Sequence, residues 1–259
     1  SEYANDSALM KVTGTVPGGP LTFTAEAGRI QQATDVNAFL GVGRFLNTTA
    51  LAGDDEMLRY RVSLGQALTG ANAAFDSADW SAYWQGTETD QDTYEVRRAV
   101  PPRTPPVQLD RTFKFDESAF GVEFTAVKSL GSGSIVHDVV YGFEATRSEL
   151  DELRNGLQTD LATGATTPTI LGETFPLRDL PLSTVIEVGA FVQDEVQFDD
   201  ARWTLVPALR VDYYELTPET DRIYREDNPA TEPAGVDEVS LAPKLGATYR
   251  INDRLGVFF

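Results

Sequence analysis

From Val185 to Leu216 the chain alternates between apolar and polar positions with a period of two. Trp203, Leu205, Leu209, Val211 and Tyr213 fall on one face, with Thr204, Ala208, Arg210 and Asp212 on the other. Successive side chains of a strand point to opposite faces, so this pattern predicts strands. The polar link Gln197 to Arg202 joins two of them as an antiparallel hairpin. Strands in soluble sheets commonly run to about five or six residues. These are roughly twice as long, the length a tilted strand needs to cross a bilayer.

The same unit recurs along the chain. Ala8 to Val16 and Leu21 to Gly28 flank Pro17-Gly18-Gly19-Pro20, a tight turn by composition. Met57 to Leu68 sets Leu58, Tyr60, Val62 and Leu64 against Arg59, Arg61 and Ser63. It is followed by Trp80, Ala82 and Trp84 against Asp79, Ser81 and Gln85. Arg111 to Leu130 and Ile135 to Thr146 flank Gly131-Ser132-Gly133-Ser134. Leu241 to Ile251 and Leu255 to Phe259 flank Asn252-Asp253-Arg254. Between these hairpins lie long polar connections: Arg29 to Glu56, Gly86 to the proline cluster Pro101 to Pro106, Arg147 to Ser183, and Thr217 to Asp237. Within the third, Glu149 to Arg154 reads as a helical turn.

Short and long connections therefore alternate. That is the signature of an antiparallel up-and-down transmembrane β-barrel, with short periplasmic turns and long extracellular loops. The predicted fold class is all-β: a barrel segment of about ten long strands. Its turns fall near Gly18, Asn72, Ser132, Asp199 and Asp253, and its loops near Asn47, Pro102, Thr166 and Asp227. Phe23, Trp80, Trp203, Tyr213 and Tyr249 lie near strand ends, where barrels carry aromatic girdles. A soluble β-sandwich or propeller, whose alternation merely separates core from solvent, is the competing reading, but it gives no reason for the loop alternation.

Composition narrows the picture. The chain has 259 residues, no cysteine and a net charge of −19. Disulfides and thiolate sites are excluded, and a nucleic-acid partner is disfavoured because such proteins present basic surfaces. No apolar run approaches the roughly 20 residues of a transmembrane helix. Ser1-Glu2-Tyr3 lacks the basic start and apolar core of a signal peptide, so the expectation is an internal fragment or a processed chain.

Residues 135–216 resemble the TonB-dependent outer-membrane receptors, most closely their haem and haemoprotein branch. The resemblance is carried by His137-Asp138-Val139-Val140-Tyr141-Gly142-Phe143-Glu144 and Asn155-Gly156-Leu157-Gln158-Thr159-Asp160. It continues through Gly172-Glu173-Thr174-Phe175-Pro176-Leu177-Arg178-Asp179 and Phe191-Val192-Gln193-Asp194-Glu195. It implies a place in the bacterial outer membrane, in contact with the lipid bilayer. It also implies a haem or haemoprotein ligand taken by the extracellular loops, and TonB engaged through a plug domain. Nothing in the chain resembles a plug, and the Phe-Arg-Ala-Pro and Asn-Pro-Asn-Leu signatures expected soon after a segment like 247–259 are absent. The chain is thus expected to be part of one barrel domain, an open sheet with two unpaired edges.

No catalytic residue, metal ligand or cofactor-binding residue is assigned from the sequence; haem enters only as a transported ligand. His137, the single histidine, lies near the predicted periplasmic rim on the apolar face, where a packing role is expected. Glu219, Asp221, Glu226, Asp227 and Asp237 form an acidic stretch whose spacing matches no calcium loop. Asp151-Glu152 and Asp199-Asp200 are adjacent pairs, but neighbouring strand residues face opposite ways, which disfavours paired acid–base work. Arg59, Arg61, Glu123, Arg210, Asp212, Lys244 and Arg250 are expected to line the lumen as a salt-bridged interior. Two other functions compete with the receptor: a ten-stranded outer-membrane protease and a passive porin.

Overall fold

The computed structural model describes residues 1–70, 72–102, 104–132, 134–198 and 202–259. The Asp199-Asp200 pair and the turn it was expected to form lie outside the described residues, as does Gly133 of the preceding turn.

One antiparallel sheet contains all the long strands. In chain order they are β1 (Glu2–Val16), β2 (Gly19–Asp35), β3 (Thr48–Thr69), β4 (Ser77–Arg97), β5 (Val107–Ser132) and β6 (Ile135–Asp160). Three two-residue strands follow: β7 (Thr166–Thr167), β8 (Thr169–Ile170) and β9 (Glu173–Thr174). The long strands then resume as β10 (Leu182–Phe198), β11 (Trp203–Glu219), β12 (Val236–Asn252) and the short β13 (Leu255–Phe258). A single-turn helix, α1 (Arg222–Asp227), lies between β11 and β12. Apart from the small strands, each long strand pairs with the next one in sequence, the up-and-down order expected. Among the described residues β1 pairs only with β2 and β13 only with β12, leaving two open edges.

The strands are longer than the alternation predicted. β5 and β6 run for 26 residues each, so the long connections contract to residues 36–47, 98–106, 161–181 and 220–235. The expected helical turn over Glu149 to Arg154 does not form: the segment is the middle of β6, paired with Phe113 to Ser118 of β5. The cause is physical. Above the bilayer both faces of a strand are wet, so polar residues occupy both, as at Asp90-Gln91-Asp92, and the period of two fades while the backbone ladder continues.

Register assigns the faces. Residues directly opposite in a ladder share a face, and Phe23 faces Leu64, Val62 faces Trp84, Trp84 faces Phe120, Phe124 faces Phe143, and Val192 faces Leu209. These apolar residues form one continuous surface. Phe23, Val62, Trp84, Phe120, Phe143, Val192, Leu209 and Leu245 are each more than a third exposed, which a soluble sheet would not tolerate over such an area. On β5 the band runs between Ser118 and Lys128, close to the nine to eleven residues of a membrane-crossing strand. Ion pairs bracket it. Arg29–Glu56 (2.8 Å) and Arg147–Glu149 (2.7 Å) lie on the loop side, and Lys128–Asp76 (2.8 Å) and His137–Asp194 (2.7 Å) on the turn side. At the turn side Trp203 packs on Tyr249, ring centroids 4.5 Å apart, as a girdle pair.

Candidate functional site

The opposite, inner face is polar. Register puts Arg59, Arg61, Glu123, Arg210, Asp212, Lys244 and Arg250 on it, as the alternation predicted. Small residues let long side chains reach across strands there. Tyr83 on β4 passes over Gly121 on β5, and its hydroxyl lies 3.3 Å from Thr146 Oγ1 on β6. Arg61 stacks on the same ring, with its guanidinium carbon 4.1 Å from the centroid. Arg210 on β11 spans Gly189 on β10 to donate to Glu144 on β6, and also pairs with Asp212 at 2.6 Å. Glu123, opposite Glu144, takes part through Ser81, whose hydroxyl donates at 3.4 Å. The result is a stiff, charged wall lining a cavity of about 400 Å³ between Tyr83 and Tyr214.

On the loop side the inner face carries a small core. Val107 and Leu109 of β5 meet Ile170, Phe175 and Leu177 from the β6–β10 connection, all nearly fully buried. Phe175 lies over Gly156, where a Cβ would come within 2.6 Å of the ring. Arg154 lies above that ring and donates to Asp179 at 3.0 Å. Burial opposes the charge on Arg154, but Asp179, Glu173 and Glu152 outweigh it and raise its pKa. Phe175, Leu177 and Asp179 of the Gly172 to Asp179 motif, which carries the narrower family resemblance, are therefore engaged in fastening the loop to β5 and β6.

Beside this core, Glu95 is almost wholly buried. Its carboxylate accepts from Arg97 Nε (2.7 Å) and Nη2 (3.0 Å) and from the Thr48 hydroxyl (2.6 Å), with Arg111 at 3.6 Å. Burial works against the charge, but these partners prevail and hold Glu95 below the usual carboxylate range. Neither Glu95 nor Arg178 was singled out from the sequence. For Glu95 the available signal was Glu95-x-Arg97, which places opposite charges on one strand face. Arg178, by contrast, finds most of its partners in a distant loop.

The other sequence candidates are internal partners. His137 lies at the turn side on the apolar face, held to Asp194 and far from the loops. Asp151 and Glu152 turn opposite ways, Asp151 to Arg178 and Glu152 to the amides of Asp179 and Leu180. Asp221 caps α1 through the Tyr224 amide (2.8 Å), Glu226 pairs with Arg222 (2.9 Å) and Asp227 accepts from the Arg178 amide (3.3 Å). Glu219 and Asp237 sit in the β11 and β12 ladders opposite Leu182 and Glu215. Among the described residues no group of three or more carboxylate, histidine or cysteine side chains is arranged to hold a metal ion.

Long antiparallel strands with an exposed apolar band on one face and a charged wall on the other define the side of an outer-membrane β-barrel. The chain belongs to the TonB-dependent receptor-like β-barrel family, whose model matches residues 8–259. It lies in the outer membrane. It is similar to the ferric preacinetobactin receptor BauA of Acinetobacter baumannii, at 11% identity over 99% of this chain and 39% of that one, with a TM-score of 0.57. It is also similar to the ferric citrate transporter FecA, at 12% identity over 97% of this chain and 40% of that one (TM-score 0.47). The copper transporter OprC matches at 12% identity over 97% of this chain and 42% of that one (TM-score 0.47). At such identity the likeness to BauA is one of fold. The chain spans about two fifths of the length of these proteins. No curated protein matches it significantly.

Proposed function

We propose that this chain is part of the barrel of a receptor that takes up an iron-carrying ligand, haem foremost. In this reading the ligand binds at the loop side, and transport draws energy from TonB through a plug domain. The observation that carries the reading is the asymmetry of the wall. β3 to β6 rise well beyond the apolar band, and the long connections between strands lie on the side opposite the tight turns. That builds a deep polar mouth toward the outside, which suits capture of a ligand. The proposal of haem rests on the resemblance of the 172–179 loop. Because Phe175, Leu177 and Arg178 are buried, other residues would contact the ligand.

The protease alternative needs a histidine–acid pair at the extracellular rim. The His137–Asp194 pair is at the other end and on the apolar face, so it does not serve that role. A titration of the purified protein with haem tests the ligand. A saturable shift of the haem absorption band is expected. An unshifted spectrum, with growth supported by a different iron chelate, would sink haem and keep the uptake role.

A further inference from the structure

The upper part of β6 has no long strand beside it on the β10 edge, because β10 begins at Leu182 and its ladder with β6 ends at Ser183 opposite Leu150. An uncovered edge invites stray pairing. The returning loop fills it. Leu177 and Arg154 exchange backbone hydrogen bonds at 2.9 Å, and Glu152 Oε2 accepts from the Asp179 (2.8 Å) and Leu180 (3.2 Å) amides. Alternation then sends Leu177 into the inner core and Arg178 to the other side.

There Arg178 is only 5% exposed. Its guanidinium pairs with Asp151 of β6 and, at 3.4 Å, with Asp221, the N-cap of α1. Its amide donates to Asp227 (3.3 Å), and its carbonyl accepts from Asn228 Nδ2 (2.9 Å). Three of its four partners thus belong to the β11–β12 connection. Tyr224 of α1 is buried at the same place. We infer that Arg178 locks the β6–β10 and β11–β12 loops into one body, a single lip on the loop side of the wall.

The physics is asymmetric. Arg178 is buried but Asp151 and Asp221 are 52% and 29% exposed, so its removal leaves carboxylates that water can still reach, and the main loss is of the ties between the two loops. A lysine keeps the charge but not the forked geometry. Segmental opening is read directly by amide hydrogen exchange, and the measurement does not depend on which ligand is bound. In the protein purified from outer membranes, Arg178→Met is expected to speed exchange in residues 174–180 and 222–228 together, by roughly tenfold. Arg178→Lys should fall between. Asn228→Ala removes one tie between the loops together with the 3.2 Å side-chain bond to the Tyr224 carbonyl of α1, leaves β6 untouched and should speed both segments in parallel by a smaller factor. If Arg178→Met fails to insert, Asn228→Ala decides. Faster exchange confined to one segment, or no change in either, would overturn the lock.

Discussion

The imidazole Nδ1 of His137 lies 2.7 Å from an Asp194 carboxylate oxygen, one strand apart on the lipid side of the sheet. The pair sits where the apolar band ends, level with Lys128–Asp76. The contact partners the imidazole and one oxygen of Asp194, while Asp194 Oδ1 stays buried without a partner among the described residues; the only histidine thus has a structural use at the membrane margin. His137→Ala is expected to lower stability by about 1 kcal/mol, the worth of one partly exposed hydrogen bond. It should leave ligand binding intact. Urea-dependent gel mobility and haem titration measure the two. Loss of a haem absorption shift in this variant would make His137 a ligand and refute its structural role.

Glu95 gives a prediction with a pH signature. Its folded pKa lies below the usual carboxylate range, so its stabilisation is present above the unfolded pKa of about 4.3 and is lost as pH falls through the lower folded value. Glu95→Gln leaves Arg97 and Arg111 facing a neutral amide. A loss of about 2–3 kcal/mol at neutral pH is expected, mostly as opening of the β3–β5 tops. The gap between variant and wild type should start to narrow as pH falls below about 4.3 and close only below the lower folded value. A gap that stays constant to pH 3 would show that packing, not charge, is lost.

Phe175 anchors the small inner core. Phe175→Ala removes a ring buried against Ile170, Leu177 and Gly156, and large-to-small changes of this kind cost about 3–5 kcal/mol. The strands below do not depend on that ring, so the loss should appear as protease cleavage within 161–181, with the barrel mobility on gels unchanged. Resistance equal to wild type would mean that the loop is held by Arg154, Glu152 and Arg178 alone.

The polar wall depends on missing side chains as much as on present ones. Arg210 reaches Glu144 because Gly189 lies between them, and a Cβ there would approach the guanidinium to 2.6 Å. Gly189→Ala should displace Arg210 and cost about 1–2 kcal/mol by overpacking. In a double-mutant cycle with Glu144→Gln, most of that loss should vanish once the Arg210 partner is gone. Full additivity would show that the glycine serves the backbone and not the bridge.

The membrane part of the fold was legible because the bilayer imposes a period of two: Leu205, Leu209 and Val211 on one side, Arg210 and Asp212 on the other. The loop side was not. At Glu149 to Arg154 both faces are solvated, so the pattern lost its period and charged residues in a row read as a helical turn. The buried role of Arg178 was equally hidden, since its partners at Asp221, Asp227 and Asn228 come from a loop beyond an intervening hairpin. Sequence motifs marked the 172–179 loop as special, but only the folded arrangement shows that Phe175, Leu177, Arg178 and Asp179 fasten the loop in place.

The assignment of faces has its own test, at adjacent positions of one strand. Leu209 is in mid-band, opposite Val192 and Pro243, whereas Ala208 points to the charged wall, opposite Gln193 and Lys244. An arginine facing lipid near the bilayer midplane costs about 2–4 kcal/mol, while lumen positions are far more permissive. Leu209→Arg should therefore reduce the folded fraction in urea titrations by that amount. Ala208→Arg adds the same charge one residue away, on the polar face beside Gln193 and Lys244, and should cost less than about 1 kcal/mol because its guanidinium stays in water. If Ala208→Arg proves the more damaging, the lipid and lumen faces are reversed, and the apolar band would have to be explained as packing against protein.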